Sequence, residues 1–333
     1  MGKFLSFLKR LLHDSRGTVT IPTAWVHQFT PMLLETMQQT QAIVKSKLMP
    51  NVMRSGVSAA IDTWERSGGV LLQPIGRHVQ TVQLNPIHTR RGCTMQTVGG
   101  GILLSPNVDV VRMLIQPESA YRRDLAAAAV QTIDKTILDA ALGSAMTIST
   151  SATTGQLSYG SQAMVSSYKI GAGTAMDLTR IIAAGVLLSK ASVPTGAKNR
   201  VMFFSAGQET DIYSITQASS SDFTKNRIHD EGIDGISWQG FEWVEIQDVV
   251  DQSTWVSSAT ATSTLTMLPL ASTTRSCIAM YKGGVGFSSA QEITPNISTR
   301  ADLNNEIQVY VSLTMAAVRL WEGCVVQVDA LEN

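Results

Sequence analysis

The C-terminal segment Asn305–Ala330 carries the most constraining pattern in this chain. Apolar side chains recur there at every second position, while polar side chains fill the positions between them. Trp321-Glu322-Gly323 interrupts the alternation, which resumes from Cys324 to Val328. A period of two is typical of a strand that buries one face. The segment therefore predicts a long strand, a turn and a returning strand.

A helical pattern dominates residues 117–142. Pro117 suits the first helical turn, Glu118 complements the positive end of the helix dipole, and Gly143 suits a left-handed cap. At about 1.5 Å per residue, this helix is about 39 Å long. We expect its apolar face to be buried, with Ile133 and Ile137 among the buried residues. That face repeats every four residues: Tyr121, Leu125, Ala129, Ile133, Ile137 and Ala141.

The remaining segments alternate between patterns typical of strands and patterns typical of loops. Residues 55–97 contain strands broken by turns and concentrate positive charge, so we interpret them as an extended hairpin lying on another surface. An ordinary solvated loop is the alternative. Asp177 caps a further helix, and buried strands follow it. Stretches rich in Ser and Thr flank this helix–strand unit at 147–174 and 253–274, which indicates one inserted domain.

Composition excludes several function classes. Charged residues make up only 16% of the chain, against the usual quarter, which leaves surface for contact with other protein. Lys plus Arg and Asp plus Glu both total 26, and a net charge of zero argues against specific duplex recognition and favours self-association. The three cysteines lie far apart, so we expect buried free thiols: Cys93, Cys277 and Cys324.

No motif in the sequence points to catalysis. The histidines lack metal-ligand spacing, and the glycine-rich stretches at 98–102 and 282–286 lack the pattern of a phosphate loop. The densest polar cluster is interpreted as a solvated turn, with a hydrolase site as the alternative. We therefore expect no catalytic residue, no metal ligand and no cofactor. The members of that cluster are His229, Asp230, Glu231 and Asp234.

The N-terminal stretch MGKFLSFLKRLLH combines an apolar helical stripe with positive charge. Gly2 and Ser6 fit a myristoylation pattern, and nearby cations would support a membrane anchor. An arm that packs on protein is the favoured interpretation. The apolar stripe consists of Phe4, Leu8, Leu11 and Leu12, and the cations are Lys3, Lys9, Arg10 and Arg16.

Four stretches resemble, in the same order, segments of tailed-phage major capsid proteins, specifically the podophage-type family with the Hong Kong 97 fold. The likeness extends from about His88 to Val328. The stretches are HTRRG (88–92), VRMLIQPESAYRRDLAAAAVQTIDKTILDAALG (111–143), SSDFTKNRIHDEGIDGISWQGFEWVEI (220–246), and AMYKGGVGFSSAQEITPNISTR (279–300) with QVYVSLTMAAVRLWEG (308–323).

The resemblance implies an α+β, Hong Kong 97-like capsid fold with a domain inserted into another. The expected division is an N-terminal arm at 1–54, an extended-loop hairpin at 55–104, a peripheral domain at 105–174 with the spine helix 117–142, an axial domain at 175–274, and a closing sheet of the peripheral domain at 275–333.

The implied function is that of a non-enzymatic coat protein. Hexamers and pentamers would form an icosahedral shell around packaged double-stranded DNA, assembled in the host cytoplasm. The expected partners are further copies and virion proteins such as portal, scaffolding or cement proteins, with no membrane. An encapsulin-like compartment shell is the alternative.

Two residue sets acquire roles from the resemblance. Arg77, Arg90 and Arg91 of the hairpin would contact a neighbouring subunit, where charge-assisted pairs with acids are expected. The arm cations Lys3, Lys9, Arg10 and Arg16 would face the interior and contact packaged DNA without sequence preference. Candidate acidic partners of the arginines are Asp62, Glu65 and Glu118.

Overall fold

The computed structural model describes residues 41–55, 61–72, 74–77, 80, 83–104, 118–150, 156–171, 173–219, 232–250, 263–303 and 306–332. Its helices are α1 Ile43–Lys47, α2 Glu118–Leu142, α3 Leu178–Lys190, α4 Ala206–Ser214 and α5 Thr216–Ser219. Short 3₁₀ turns occur at Pro50–Val52, Ser166–Tyr168 and Glu322–Cys324. Within these ranges, no helix is long and apolar enough to cross a membrane.

Strands make up most of the remaining regular structure. In chain order they are β1 Met53–Ser55, β2 Ile61–Ser67, β3 His88–Thr94, β4 Gln96–Leu104, β5 Ala145–Thr150, β6 Leu157–Gln162, β7 Lys169–Ile170, β8 Arg200–Phe204, β9 Ser237–Trp238, β10 Phe241–Glu245, β11 Val249–Val250, β12 Ser263–Leu265, β13 Leu270–Ala271, β14 Thr274–Tyr281, β15 Val285–Arg300, β16 Glu306–Arg319 and β17 Val325–Leu331.

These strands form three main sheets and one two-stranded ribbon, β11–β12. The strand orders are β1-β15-β16-β4, then β7-β17-β14-β8-β10-β9 with β13 paired to β14, and β2-β3-β5-β6. The described residues fall into a small compact unit (101–104, 118–125, 295–303 and 306–310) and a larger one that contains the rest. The charge clusters of the next section lie in the larger unit.

Helix α2 begins and ends within one residue of the predicted span. Its 25 residues give a length of about 38 Å at the usual rise. The predicted apolar face is confirmed at Ala129, Ile133, Ile137 and Ala141, all of which are buried.

The C-terminal end of α2 differs from the prediction. Gly143 is not among the residues with positive φ, so it does not form a left-handed cap. Its N–H donates to the carbonyl of Asp139 at 2.7 Å, and a Cβ at this position would lie 2.6 Å from that oxygen. Glycine is thus required by a close approach of the backbone. Instead, the side chain of Arg319 donates to the carbonyl of Ala141 in the last turn of the helix and to that of Gly143 just after it.

The sheet that contains β8 is the apolar centre of the larger unit. All five residues of β8 are buried, and α3 packs on β14 and β17 through Ile181, Ala184 and Leu188. As predicted, Asp177 caps α3, and its carboxylate accepts the N–H of Arg180 at 2.9 Å. The sequence predicts this layer well. A buried strand has a continuous apolar run, and the helix that covers it has one apolar face.

The expected boundary at 274/275 lies within one sheet. β8 pairs with β10 on one side and with β14 on the other, and β14 pairs with β17. Strands from the predicted axial domain (175–274) and the predicted closing sheet (275–333) therefore share one sheet. The predicted loop at 253–274 also contributes structure, since β12 and β13 lie within it and Met267 and Leu268 are buried.

The two C-terminal strands exist as predicted but do not pair with each other. β16 lies between β15 and β4, whereas β17 lies between β7 and β14. The 3₁₀ turn Glu322–Cys324 therefore passes the chain from one sheet to another. Alternation predicted the strands but not their partners, because a period of two reports only which face is buried.

The predicted hairpin is formed by β2 and β3. Their antiparallel register runs from the pair Ile61–Thr94 to the pair Ser67–His88. β3 also pairs with β5, and β5 with β6, so the base of the hairpin is a four-stranded sheet. The described parts of the connection between β2 and β3 (68–72, 74–77, 80 and 83–87) contain no helix or strand.

Replacing Ile137 with Ala should lower the free energy of unfolding of the subunit by about 2–5 kcal/mol, because a fully buried side chain would leave a cavity. Urea denaturation measures this change. The matched control is Asp139→Ala on the exposed face, which removes only an i,i+4 pair with Lys135, worth about 0.3–0.5 kcal/mol. Equal losses for the two variants would show that the buried face of α2 has been assigned wrongly.

Candidate inter-subunit surface and its anchoring charges

The connection between β2 and β3 exposes large apolar side chains. Leu71 and Leu72 are each 88% exposed. We call residues 68–87 the hairpin tip. Clustered exposed apolar residues of this kind mark contact sites in soluble proteins. The further exposed apolar members of the tip are Val70, Ile75 and Ile87.

The predicted hairpin arginines occupy three different environments. Arg77 lies exposed in the tip. Arg90 lies on β3, with its guanidinium 3.5 Å from a carboxylate oxygen of Glu65 on the adjacent strand. His88 approaches the same carboxylate at 3.7 Å. Glu65, a candidate acid for a neighbouring subunit, thus has partners within its own chain.

Arg91 points to the opposite side of β3 from Arg90. Its guanidinium donates to Glu322 at 3.3 Å and to Gln162 at 3.0 Å. Burial lowers the pKa of Arg91, the charge of Arg319 lowers it further, and the Glu322 carboxylate opposes both. Successive residues of a strand face opposite sides, so only one of the two adjacent arginines can face outward. Arg91 therefore has an acidic partner, Glu322, within its own chain, and its contact with a neighbouring subunit stays a prediction.

Arg319, at the end of β16, is fully buried. Its Nε and Nη2 donate to the two carboxylate oxygens of Glu322, at 3.1 and 3.2 Å. Its Nη1 donates to the carbonyls of Ala141 and Gly143 at 2.8 and 2.6 Å, and Nη2 also reaches the carbonyl of Gln162 at 3.4 Å. One guanidinium thus joins the end of α2, the end of β6 and the turn before β17.

A second set of charges holds the first described segment. The carboxylate of Asp134 on α2 accepts the backbone N–H groups of Ile43 and Lys45, at 2.8 and 3.1 Å. Lys47, at the end of α1, donates to Glu242 of β10 at 2.6 Å. Helix α1, which lies within the predicted arm 1–54, is therefore fixed at both ends.

Glu242 also accepts from Lys282, so its carboxylate lies between two ammonium groups. Burial alone raises the pKa of Glu242, but the hydrogen bonds from Lys282 and Lys47 outweigh it and leave the pKa below its ordinary value. This ion pair is consequently present at neutral pH, and its contribution is lost only as the pH falls through the lowered value.

The predicted arm cations Lys3, Lys9, Arg10 and Arg16 lie outside the described residues. The same holds for His229, Asp230 and Glu231 of the polar cluster and for Glu118 as a side chain. Asp234, the remaining member of that cluster, accepts the backbone N–H of Glu245 at 3.0 Å, which is a structural role.

The thiols offer no activated nucleophile. All three cysteines are free and buried, as predicted. Burial raises the pKa of Cys93, Cys277 and Cys324 to about 12, so the reactive thiolate is scarce at neutral pH. In the part of the chain that the structure describes, no group of three His, Cys, Asp or Glu side chains could hold a metal ion.

The Arg319 cluster was missed by sequence reasoning. The stretch AAVRLWEG nevertheless indicates the cluster. In it, Arg319 lies in a strand whose other residues are mostly apolar, and Glu322 follows three residues later. Charged residues are almost never buried without a partner, so an arginine in such a run indicates an internal ion pair.

Replacing Arg319 with Leu should destabilise the subunit by about 3–5 kcal/mol, because Glu322 and three carbonyl groups would lose their buried donor. Thermal and urea unfolding measure this loss. Arg300→Leu is the matched control: it removes an exposed pair with Asp302 and should change stability little. If both variants unfold alike, Arg319 does not hold these elements together.

Comparison with known proteins supports a shell subunit and not an enzyme. Residues 21–332 match the model of a family described as phage capsid protein. A search of curated proteins finds no match.

Solved phage structures share the fold at low sequence identity. The capsid of cyanophage P-SCSP1u is 14% identical over 92% of both chains, with a TM-score of 0.61. The capsid of Ralstonia phage GP4 is 11% identical over 92% of this chain and 96% of that chain, with a TM-score of 0.61. The structure of Mycobacterium phage Che8 is 15% identical over 89% of this chain and 93% of that chain, with a TM-score of 0.60.

The mixed helix–strand architecture is thus the Hong Kong 97-like capsid fold, as the sequence resemblance implied. Because the family model covers nearly the whole chain, the protein belongs to the phage capsid protein family: it is a major capsid protein, a structural component of the virion and not an enzyme.

Proposed function

We propose that this major capsid protein builds the icosahedral shell of a tailed phage from hexamers and pentamers, that the shell encloses double-stranded DNA, and that the phage is of the podophage type. The observation that carries the proposal is the hairpin tip, where Leu71 and Leu72 are almost fully exposed. A subunit that leaves such residues in water is completed by a second copy. The podophage type rests on the four sequence stretches, residues 111–143 above all.

The elements of the fold take the roles that the resemblance implies. The β2–β3 hairpin is the extended loop, which crosses a neighbouring subunit. Helix α2 and the sheet of β15 and β16 form the peripheral domain. The sheet of β8, β10, β14 and β17 forms the axial domain at the centre of the capsomer. Homo-oligomeric contact through these elements builds the shell.

Of the hairpin arginines, Arg77 is the strongest candidate for a contact between subunits, because it lies exposed beside the apolar residues of the tip. Arg90 is partly exposed and shares Glu65 with His88, so it can exchange partners when copies meet. Arg91 acts within its own subunit.

The N-terminal arm supplies contact with DNA. Lys3, Lys9, Arg10 and Arg16 concentrate positive charge in a chain whose formal net charge is zero. Contact of this kind is independent of base sequence and weakens as salt rises. Portal, scaffolding or cement proteins are the further partners of such a shell.

An encapsulin-like compartment is the alternative shell, and its cargo distinguishes it. Electron microscopy of purified protein tests for closed particles, and nuclease digestion before extraction tests for protected DNA. Protected DNA in particles from infected cells supports the phage shell, whereas a protein cargo without nucleic acid supports the compartment. A protein that remains monomeric under all conditions contradicts both.

Replacing Leu71 and Leu72 together with Asp should leave a folded subunit that does not assemble, because charged side chains cannot be buried in an apolar contact. Circular dichroism checks the fold, and sedimentation with microscopy measures assembly. The matched control, Leu71→Met with Leu72→Met, keeps the apolar surface and should still form shells. Normal shells from the double aspartate variant would exclude the tip as a contact site.

Deleting residues 1–16 should impair assembly or DNA packaging without changing binding to liposomes, because the arm is assigned to the shell interior. Particle yield, protected DNA and flotation with anionic liposomes are the three readouts. The opposite result, full particles that have lost a liposome affinity present in the intact protein, would assign the arm to a membrane instead.

A further inference from the structure

We propose that a pocket at the base of the β2–β3 hairpin binds a small organic anion, namely a carboxylate carried on a flat apolar body. The pocket lies within the larger unit, where the two hairpin strands meet the connection between α3 and β8 and the turn before β17. This inference does not depend on the proposed shell, because every group that carries it belongs to one subunit.

The size and the lining of the pocket suit a small molecule. Its volume is about 390 Å³. This value lies in the range of about 300–1,000 Å³ that is typical of small-molecule sites. The lining includes two indole rings, and flat ligands pack well against aromatic side chains. The buried apolar residues of the lining are Val52, Trp64, Val193 and Cys324, and Trp321 is half-buried.

Two donors of the lining have no hydrogen-bond acceptor among the described residues. They are the indole Nε1 of Trp64 and the Nη1 of Arg91, and both atoms are buried. The two residues are directly opposite each other in the β2–β3 register, so their side chains lie on the same face of the sheet. A carboxylate has two acceptor oxygens, one for each of these donors.

Positive charge is in excess at the pocket. Arg91 shares the carboxylate of Glu322 with Arg319, so two guanidinium groups face one acid. Arg66 also lines the pocket, and it has no acidic partner among the described residues. Its guanidinium instead lies 3.5 Å from the centre of the Trp321 ring. An anionic ligand therefore matches the charge of this lining better than a cation does.

Among the described residues, Glu65 is the acid that lines the pocket. It is exposed, and Arg90 lies 3.5 Å from its carboxylate on the adjacent strand. Its charge is thus balanced outside the apolar part of the pocket. The apolar lining also favours a carboxylate on an apolar body over inorganic phosphate, which would lose its hydration without gaining apolar contacts.

The backbone of the third wall is strained. Ser192, in the connection between α3 and β8, lines the pocket and has a φ of 61°, in the left-handed region that serine rarely adopts. Strain of this kind is concentrated at binding sites, where the surrounding structure holds it in place. A ligand in the pocket would contact this connection and both hairpin strands at once.

Calorimetric titration of the full-length protein with cinnamate tests the site. Cinnamate joins a carboxylate to a flat apolar body, and its Kd should be about 0.1–1 mM, as expected for a ligand of this size. Cinnamamide keeps the body without the charge and should bind at least about tenfold more weakly. Acetate keeps the charge without the body and should show no saturable binding. Equal affinity for cinnamate and cinnamamide, or no saturable binding of cinnamate, overturns the inference.

Three variants locate the binding. Arg66→Leu should weaken cinnamate binding about tenfold and Trp64→Phe about fivefold, because a charged and a neutral donor are lost. Asn51→Trp fills the pocket from an exposed position of its lining and should abolish binding. Circular dichroism checks that each variant is folded.

The matched control is Lys190→Leu, which removes one positive charge from an exposed position on α3 that does not line the pocket. Its affinity for cinnamate should equal that of the original protein. Full affinity in Asn51→Trp, or the same loss in Lys190→Leu as in Arg66→Leu, would show that cinnamate binds elsewhere and would overturn the inference.

Competition distinguishes a small acid from an acidic side chain of another polypeptide, which presents the same carboxylate. The peptide acetyl-Phe-Glu-amide carries a phenyl ring and a carboxylate on a peptide backbone. Displacement of cinnamate only at peptide concentrations well above the Kd of cinnamate supports the small organic acid. Tighter binding of the peptide than of cinnamate shows that the site receives a polypeptide, and the assignment to a small molecule is then wrong.

Discussion

The guanidinium of Arg319 is the interaction on which the arrangement of the larger unit depends. Its five N–H groups meet five acceptors: both carboxylate oxygens of Glu322 and the carbonyls of Ala141, Gly143 and Gln162. An arginine offers five donors in one plane, which a lysine cannot reproduce. A fully buried charge is tolerable only with this degree of pairing. The direction of α2 and the change of sheet between β16 and β17 are thereby fixed at one point.

The hairpin is attached to the same point. Glu322 accepts from Arg91 of β3 as well as from Arg319, and Arg66 of β2 stacks on the Trp321 ring at 3.5 Å. Both strands of the hairpin are thus held against the turn before β17. The connection between these two strands carries the exposed side chains of Leu71 and Leu72.

The structural features that could be predicted from the sequence are those that follow from local periodicity. The length of α2, the burial of Ile133 and Ile137, the two C-terminal strands and the buried thiols all follow from patterns within a few residues. The pairing of those strands and the partners of the buried arginines do not follow from such patterns. Arg319 contacts Ala141, which is 178 residues away, and Arg91 contacts Glu322, which is 231 residues away. Such contacts depend on topology, which a single sequence pattern does not contain. The internal partner of Arg91 could not be predicted for this reason, since Arg90 and Arg91 have the same chemistry and differ only in the face they occupy.

The distribution of charge connects the interior of the subunit with its assembly. In the described part of the chain, several charged side chains form ion pairs within the subunit. Arg275 is buried between Asp248 and Glu332. Glu242 lies between Lys47 and Lys282, and Arg319 faces Glu322. With only 16% charged residues, such internal pairing leaves few charges to dominate the surface. Burial of apolar area is not screened by ions as surface charge pairs are, so apolar contacts keep their strength over a range of salt concentrations.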